Sequence, residues 1–189
     1  MTMSDNTAPS KGIIISANSL LPWTLQQALV TGYAANGICL DTQINMVKEL
    51  ITSLHECDYK VVLTYGATYS DQNIKTIGDK LGADGIIQSP LLSGQGSYRT
   101  IAEDFNIDPS LAICVTAGPE GYGVAKKDIT HVATVKPSDV INSMLPENTV
   151  YMSKRAVEGV IKCVGDFINK CDSDPTVKQK FPEIYCPGD

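Results

Sequence analysis

A short run of β-branched residues near the amino terminus constrains the fold more than any other feature. The run Lys11-Gly-Ile-Ile-Ile-Ser16 stops on the small polar residues Ala17, Asn18 and Ser19. Consecutive isoleucines without polar alternation are typical of a strand buried on both faces of a parallel sheet. We therefore predict the first, central strand of an α/β sheet here. Ligands bind beyond the carboxyl ends of such strands, which places Ser16 and Asn18 at the candidate site.

Further apolar runs alternate with helical patterns along the chain. Strands are predicted over 61–64, 85–88, 111–116 and 131–135, with a turn over 106–110. Helices are predicted over 42–57 behind an Asp41 N-cap, and over 71–81, 97–105, 124–127 and 152–168, with a flexible glycine loop over 118–123. This alternation predicts a doubly wound, Rossmann-like parallel sheet of about five strands with helices on both faces. No large cap is expected, and the last helix is additional to the sheet unit.

The chain divides into three predicted segments. Residues 1–10 are polar and without periodicity, which predicts a disordered leader. Residues 11–150 carry the α/β core, and residues 151–189 carry a C-terminal helix and tail that pack on the core or on a partner.

The C-terminal helix has a wide apolar stripe that something must cover. Its candidate interface residues are Val157, Val160, Ile161 and Val164. Two interpretations stay open: the stripe packs on the chain's own sheet, or it is an interface with a protein partner or a second copy in a homo-oligomer.

Charge and hydropathy exclude some classes of function. The 189 residues carry a net charge of −6 and scattered Lys and Arg, whereas a nucleic-acid surface needs a clustered basic face. No apolar run approaches the roughly 20 residues that span a bilayer, and the first residues lack the pattern of a signal peptide. We therefore expect a cytoplasmic protein that neither binds nucleic acid nor spans a membrane.

Six cysteines are present, and none forms a Cys-x-x-Cys pair or lies at zinc-motif spacing from the two histidines. Buried free thiols are therefore expected, with Cys114 inside a core strand. Cys163, Cys171 and Cys186 are close enough in sequence for one disulfide in an oxidising compartment.

Four landmarks follow one another between Gly12 and Val135. They are the Ile13-Ile-Ile strand ending in Ser16-Ala-Asn18, the strand Val61-Val-Leu-Thr64, the segment Thr100-Ile-Ala-Glu103 running to Pro109-Ser, and the strand Ile113-Cys-Val-Thr116 followed by Ala-Gly-Pro-Glu120. Their order and spacing resemble the haloacid dehalogenase-like superfamily of phosphatases and related hydrolases. The resemblance implies a doubly wound fold with its site at the carboxyl ends of these strands.

The resemblance also implies that this chain is a degenerate member of the superfamily. In the family one aspartate attacks phosphorus, a second protonates the leaving group, and further acids help hold magnesium. The matching positions here hold the neutral residues Ser16, Asn18, Thr116 or Ala117, and Gly121. The family lysine that steadies the nucleophile and the phosphoryl group falls at or near Gln95, which is also neutral. Only Thr64 keeps a family side chain, as a donor to phosphate oxygen. The catalytic aspartates are thus missing, and no cofactor is expected.

Three hypotheses for function follow. The first is a pseudo-phosphatase, a catalytically inactive binding, regulatory or assembly subunit with a protein partner. The second is a phosphohydrolase or phosphotransferase, with magnesium, whose altered site uses Ser16, Asn18, Thr64 and Glu120. The third is a doubly wound ligand binder that shares only strand order with the family. Candidate contacts for a phosphate or small polar ligand are Ser16, Asn18, Thr64, Ser97 and Glu120.

Overall fold

The computed structural model describes residues 8–20, 40–66, 71–90, 97–116, 119–134 and 161–180. The strands in these residues are β1 (Ser10–Ser16), β2 (Lys60–Tyr65), β3 (Gly85–Gln88), β4 (Ile107–Thr116) and β5 (His131–Thr134). The helices are α1 (Ala17–Leu20), α2 (Leu40–Glu56), α3 (Asp71–Leu81), α4 (Tyr98–Asp104), α5 (Pro119–Ala125), α6 (161–171) and α7 (Pro175–Lys180). Among these helices, none combines the length and the apolar character that a bilayer crossing requires.

The strands form one parallel sheet in the order β3-β2-β1-β4-β5, with β1 at its centre. Ile15 of β1 lies opposite Leu63 of β2 on one side and Val115 of β4 on the other. The chain fills one half of the sheet first and then crosses back to the other half. The predicted doubly wound, Rossmann-like α/β fold is confirmed, and the strand order reverses between β1 and β4.

Helices cover both faces of the sheet, which explains the unbroken isoleucine run. Ile13 and Ile15 face a large apolar cluster formed with α2, α3, α6 and α7. Ile14 points to the opposite face, into a second cluster formed with α4 and the α5 region. All three isoleucines are inaccessible to solvent, as expected for a central strand between two helical layers.

Two helix ends have the local structure that their residue types favour. Gly82 follows α3 with a φ of 76°, a left-handed conformation that glycine adopts without steric cost. Asp174 precedes α7, and its Oδ1 accepts a hydrogen bond from the Thr176 backbone N–H at 2.9 Å. This is the contact expected of an N-cap aspartate.

The predicted turn over 106–110 is wrong, because β4 already begins at Ile107. Ser10, at the end of the expected leader, lies in β1 and pairs with Ile107, and the next pair joins Gly12 to Ala112. This shift of register accommodates the extra residues around Pro109 without ending the strand. Residues 1–7 lie outside the described part of the chain.

Two helix starts also differ from the sequence prediction. Helix α5 begins at Pro119, so Gly121 and Gly123 lie inside a helix and not in a flexible loop. Proline suits the first helical position because its missing N–H would be unpaired there anyway. Helix α2 begins at Leu40, so Asp41 is within its first turn and is not its N-cap.

The described part of the C-terminal helix packs on the chain's own sheet. Val164 is fully buried in the cluster that contains Ile13 and Ile15, and Ile161 packs against the same cluster. Of the two interpretations, packing on the chain's own sheet therefore holds for Val164, while Ile161 is partly buried against the same cluster. Val157 and Val160 lie outside the described residues.

Gly85 provides a test of the packing between β3 and α4. A Cβ at Gly85 would lie 2.2 Å from the Phe105 ring, whereas a Cβ at Gly123 would meet no atom within 4 Å. We expect Gly85→Ala to lower the free energy of unfolding by about 1–3 kcal/mol through overpacking. The matched control Gly123→Ala, inside α5, should raise it by up to about 1 kcal/mol. Urea unfolding followed by circular dichroism measures both, and equal effects would contradict the packing described here.

Candidate functional site

The sequence-predicted site lies at the carboxyl edge of the sheet. Ser16 at the end of β1 aligns with Thr64 of β2, while Ile15 aligns with Val115, the residue before Thr116. The strands are parallel, so their carboxyl ends share one edge. The fold therefore brings the ends of β2, β1 and β4 together, with a hydroxyl-bearing residue on each.

These three hydroxyl-bearing residues differ in their surroundings. Thr116 is buried, and its hydroxyl lies 3.3 Å from the Ala133 carbonyl oxygen, to which it donates, and 3.2 Å from Thr134 Oγ1. Its hydroxyl therefore joins β4 to β5. Thr64 is also buried, whereas Ser16 is half-buried. Ser16 is thus the most accessible of the three at this edge.

Asn18 and Glu120 begin the connections that leave this edge. Asn18 lies in α1, directly after β1, and Glu120 lies in α5, directly after β4. Their backbones therefore lie on the same side of the sheet as Ser16. Gln95 and Ala117, which were also placed at the site, lie outside the described residues.

Ser97 has a structural contact that the sequence interpretation did not assign. It is the N-cap of α4, and its side-chain oxygen accepts a hydrogen bond from the Thr100 backbone N–H at 3.2 Å. The Ser97 and Thr100 hydroxyl oxygens are also 3.1 Å apart. The hydroxyl thus satisfies the start of a helix, which lowers its availability to a ligand.

Both histidines lie away from the carboxyl edge. His131 is the first residue of β5, at the amino edge. His55, late in α2, places Nε2 2.8 Å from Asp84 Oδ2, and the same oxygen accepts the Val61 backbone N–H at 2.7 Å. Val61 is the second residue of β2, and Asp84 directly precedes β3, so His55 is also at the amino edge. Neither histidine is positioned to activate Ser16.

A polar cluster at the amino edge has no counterpart in the sequence predictions. Asp172 Oδ2 accepts hydrogen bonds from Lys11 Nζ at 3.0 Å and from the Tyr59 hydroxyl at 2.6 Å. The Lys11 ammonium also lies 4.7 Å from the centre of the Tyr59 ring, within cation–π range. These groups, with His131, line a cavity of about 240 Å³.

The electrostatics of this cluster favour an ionised aspartate beside a neutral tyrosine. Burial opposes ionisation of Asp172, but hydrogen bonds from Tyr59, the Asp174 backbone and Lys11 outweigh it and lower the pKa of its carboxyl group. Burial, and then the hydrogen bond to Asp172, raise the pKa of the Tyr59 hydroxyl. At neutral pH the Tyr59 hydroxyl is therefore the hydrogen-bond donor and the Asp172 carboxylate is the acceptor. No sequence motif marks this cluster, because its members are 113 and 161 positions apart.

Within the ranges that the structure describes, no three His, Cys, Asp or Glu side chains group closely enough to hold a metal ion. Cys57, Cys114, Cys163 and Cys171 are free thiols. Burial raises the pKa of Cys114, in agreement with its place in the core. Cys163 and Cys171 are thus not joined to each other, and Cys186 lies outside the described residues.

Comparison with protein-family models, curated sequences and solved structures gives no match to this chain. The fold class is therefore established by the strand order and register of the chain itself. What this α/β protein does has to be argued from the residues at its two sheet edges.

Proposed function

We propose that this chain is a haloacid dehalogenase-like protein that binds without catalysis, as a regulatory or assembly subunit. One observation carries the proposal. The strands β2, β1 and β4, which hold three of the landmarks behind the resemblance, are neighbours and end at one edge. Each contributes a neutral residue there: Thr64, Ser16 and Thr116.

The chemistry of these residues favours binding over turnover. The phosphatases of this family need a carboxylate nucleophile, a carboxylic acid and a charged magnesium site. Ser16 stands at the nucleophile position, and serine needs an adjacent base that neither His55 nor His131 supplies from the amino edge. Hydroxyl groups still donate hydrogen bonds to an oxyanion. We therefore propose a phosphate group or a similar small polar anion as the ligand class, with Ser16 and Thr64 as donors.

A protein partner or a second copy remains part of the proposal. Because α6 packs on the sheet through Val164, the proposed partner surface excludes that face of α6. The sequence-based expectation is that no large cap is present, which would leave a protein ligand room to approach the hydroxyl groups.

Hydrolysis of a panel of aryl and natural phosphates, with and without magnesium, tests the catalytic part of this proposal. We expect the wild type, Ser16→Ala and Asn18→Ala to stay at the same background rate, because no carboxylate replaces the nucleophile at Ser16. Ser110→Ala, at an exposed position near the amino end of β4, is the matched control for purification. Magnesium-dependent turnover that Ser16→Ala and Asn18→Ala abolish would establish the altered phosphohydrolase instead.

Titration with inorganic phosphate, followed by the thermal unfolding midpoint, tests the ligand class in the same samples. A ligand that binds only the folded state raises this midpoint. The rise should be present in the wild type and in Ser110→Ala, and smaller in Ser16→Ala. An equal response in all variants would show that phosphate does not bind through this edge.

A further inference from the structure

The segment from Asp172 to Lys180, which we call the strap, docks at the amino edge through three contacts. Asp172 receives hydrogen bonds from Lys11 and Tyr59. Val177 is fully buried in the larger apolar cluster. Lys180 forms an ion pair with Glu56, at the end of α2. The strap is thus attached to β1, to α2 and to the residue that precedes β2.

Few of these contacts are strong. Val177 is the one buried side chain of α7, whose other residues are exposed. The Lys180–Glu56 pair is solvent-exposed, and such pairs contribute little to stability. Asp172 is therefore the principal polar anchor. Segments with one apolar anchor and mainly exposed residues open more readily than the core around them.

The Cys57 thiol is buried in the apolar cluster to which the strap contributes Val177. Cys57 follows the last residue of α2, is only 3% exposed, and belongs to the same apolar cluster as Val177. Lys11 acts electrostatically on its thiol, and so do Lys180 and Asp172 from the two ends of the strap. Burial nevertheless dominates and raises the pKa of Cys57, so the thiol is protonated and unreactive while the strap is closed.

We propose that the strap is a conformational device that detaches from the amino edge as a unit while the parallel sheet stays folded. Detachment breaks the Asp172 hydrogen bonds, withdraws Val177 and exposes Cys57. It also removes one wall of the amino-edge cavity, to which Asp172 contributes beside Lys11 and Tyr59. Access to that cavity is thus controlled by the carboxyl-terminal segment.

Iodoacetamide labelling of the full chain, resolved by mass spectrometry for each cysteine, tests the proposal. The thiolate forms a carbon–sulfur bond and iodide leaves, so each rate reports exposure of one thiol. Cys114, fully buried in β4, reports global unfolding in the same sample. We expect Cys57 to react faster than Cys114 and with a weaker dependence on urea, because strap opening exposes less surface than unfolding.

Asp172→Ala should raise the Cys57 labelling rate about tenfold or more, because it removes hydrogen bonds to a charged group. The ratio of the Cys57 rate to the Cys114 rate should rise with it. The matched control Asp108→Ala removes a carboxylate that bonds only to its neighbour Ser110 among the described residues, and should leave the ratio unchanged. If Asp172→Ala does not fold, Val177→Ala is expected to raise the same ratio.

The proposal is overturned if Cys57 and Cys114 are labelled at the same rate and with the same dependence on urea concentration. The strap would then open only when the whole fold opens. The proposal is equally overturned if the strap variants leave the ratio of the two rates unchanged.

Discussion

Replacing Val164 by aspartate is expected to lower the free energy of unfolding by about 4 kcal/mol or more, from lost apolar burial and from a carboxyl group buried without a partner. Val164 has no solvent exposure and lies in the apolar cluster that contains the sheet residues Ile13 and Ile15. A loss of this size is a large part of the roughly 5–15 kcal/mol that stabilises a domain. Urea unfolding followed by circular dichroism measures the change.

The adjacent residue supplies the matched control. Cys163 is exposed on the same helix, so Cys163→Asp should change the stability by no more than about 0.5 kcal/mol. Light scattering on the same samples separates core packing from an interface between copies. A folded Val164→Asp variant with wild-type stability and an altered oligomeric state would show that the stripe meets another chain.

Val164 also illustrates what a hydrophobic pattern can and cannot predict. The period of the apolar residues shows which face of a helix is buried, because that face follows from helical geometry alone. What covers the face depends on residues far along the chain, here Ile13 and Ile15 in the first strand. The stripe was therefore predictable from the sequence, while the choice between the chain's own sheet and a partner required the structure.

The strands were predictable where local and tertiary preferences agree. Strand β3 has the predicted bounds, Gly85–Gln88. Strand β1 begins one residue earlier than predicted, and β2 is one residue longer at each end. At Pro109 the two preferences conflict. Proline favours a turn locally, but the shifted register between β1 and β4 accommodates it within the strand.

The two edges of the sheet also differ in whether their residues could be placed from the sequence alone. The residues at the carboxyl edge lie at or next to the ends of their strands, so a correct strand prediction also places Ser16, Thr64 and Thr116. At the amino edge, Asp172 meets Lys11 and Tyr59 only after the C-terminal segment has packed. A contact over 161 positions has no local pattern in one sequence.

Among the described residues, the three acids whose pKa values are raised most make the fold sensitive to alkaline pH. Burial raises the pKa of the Cys114 thiol above its ordinary value of 9.0. Burial, reinforced by Cys114 and partly offset by a hydrogen bond with Ser89, raises the pKa of Tyr98 from 10.0 to about 12. Burial and Asp172 raise the pKa of Tyr59 as well. The folded chain thus retains three protons that the unfolded chain releases between about pH 9 and pH 11.

The direction in which the free energy of unfolding changes with pH follows from the protons that each state binds. Below about pH 9 all three groups are protonated in both states, and the stability is complete. As the pH rises, the unfolded state loses protons first and is favoured by up to about 1.4 kcal/mol per group and pH unit. We expect the free energy of unfolding to fall by about 3 kcal/mol between pH 10 and pH 11. Urea unfolding at fixed pH values measures this slope.

Tyr98→Phe isolates one of the three groups, because phenylalanine fills the same core position without an acidic proton. The variant should lose about 1 kcal/mol less than the wild type between pH 10 and pH 11, whatever its stability at neutral pH. Tyr122→Phe, which removes an exposed tyrosine, is the matched control and should keep the wild-type slope. A wild-type stability that stays constant through pH 11 would contradict the burial of Tyr98 and Cys114 between α4 and the sheet, and with it the packing of the second helical layer.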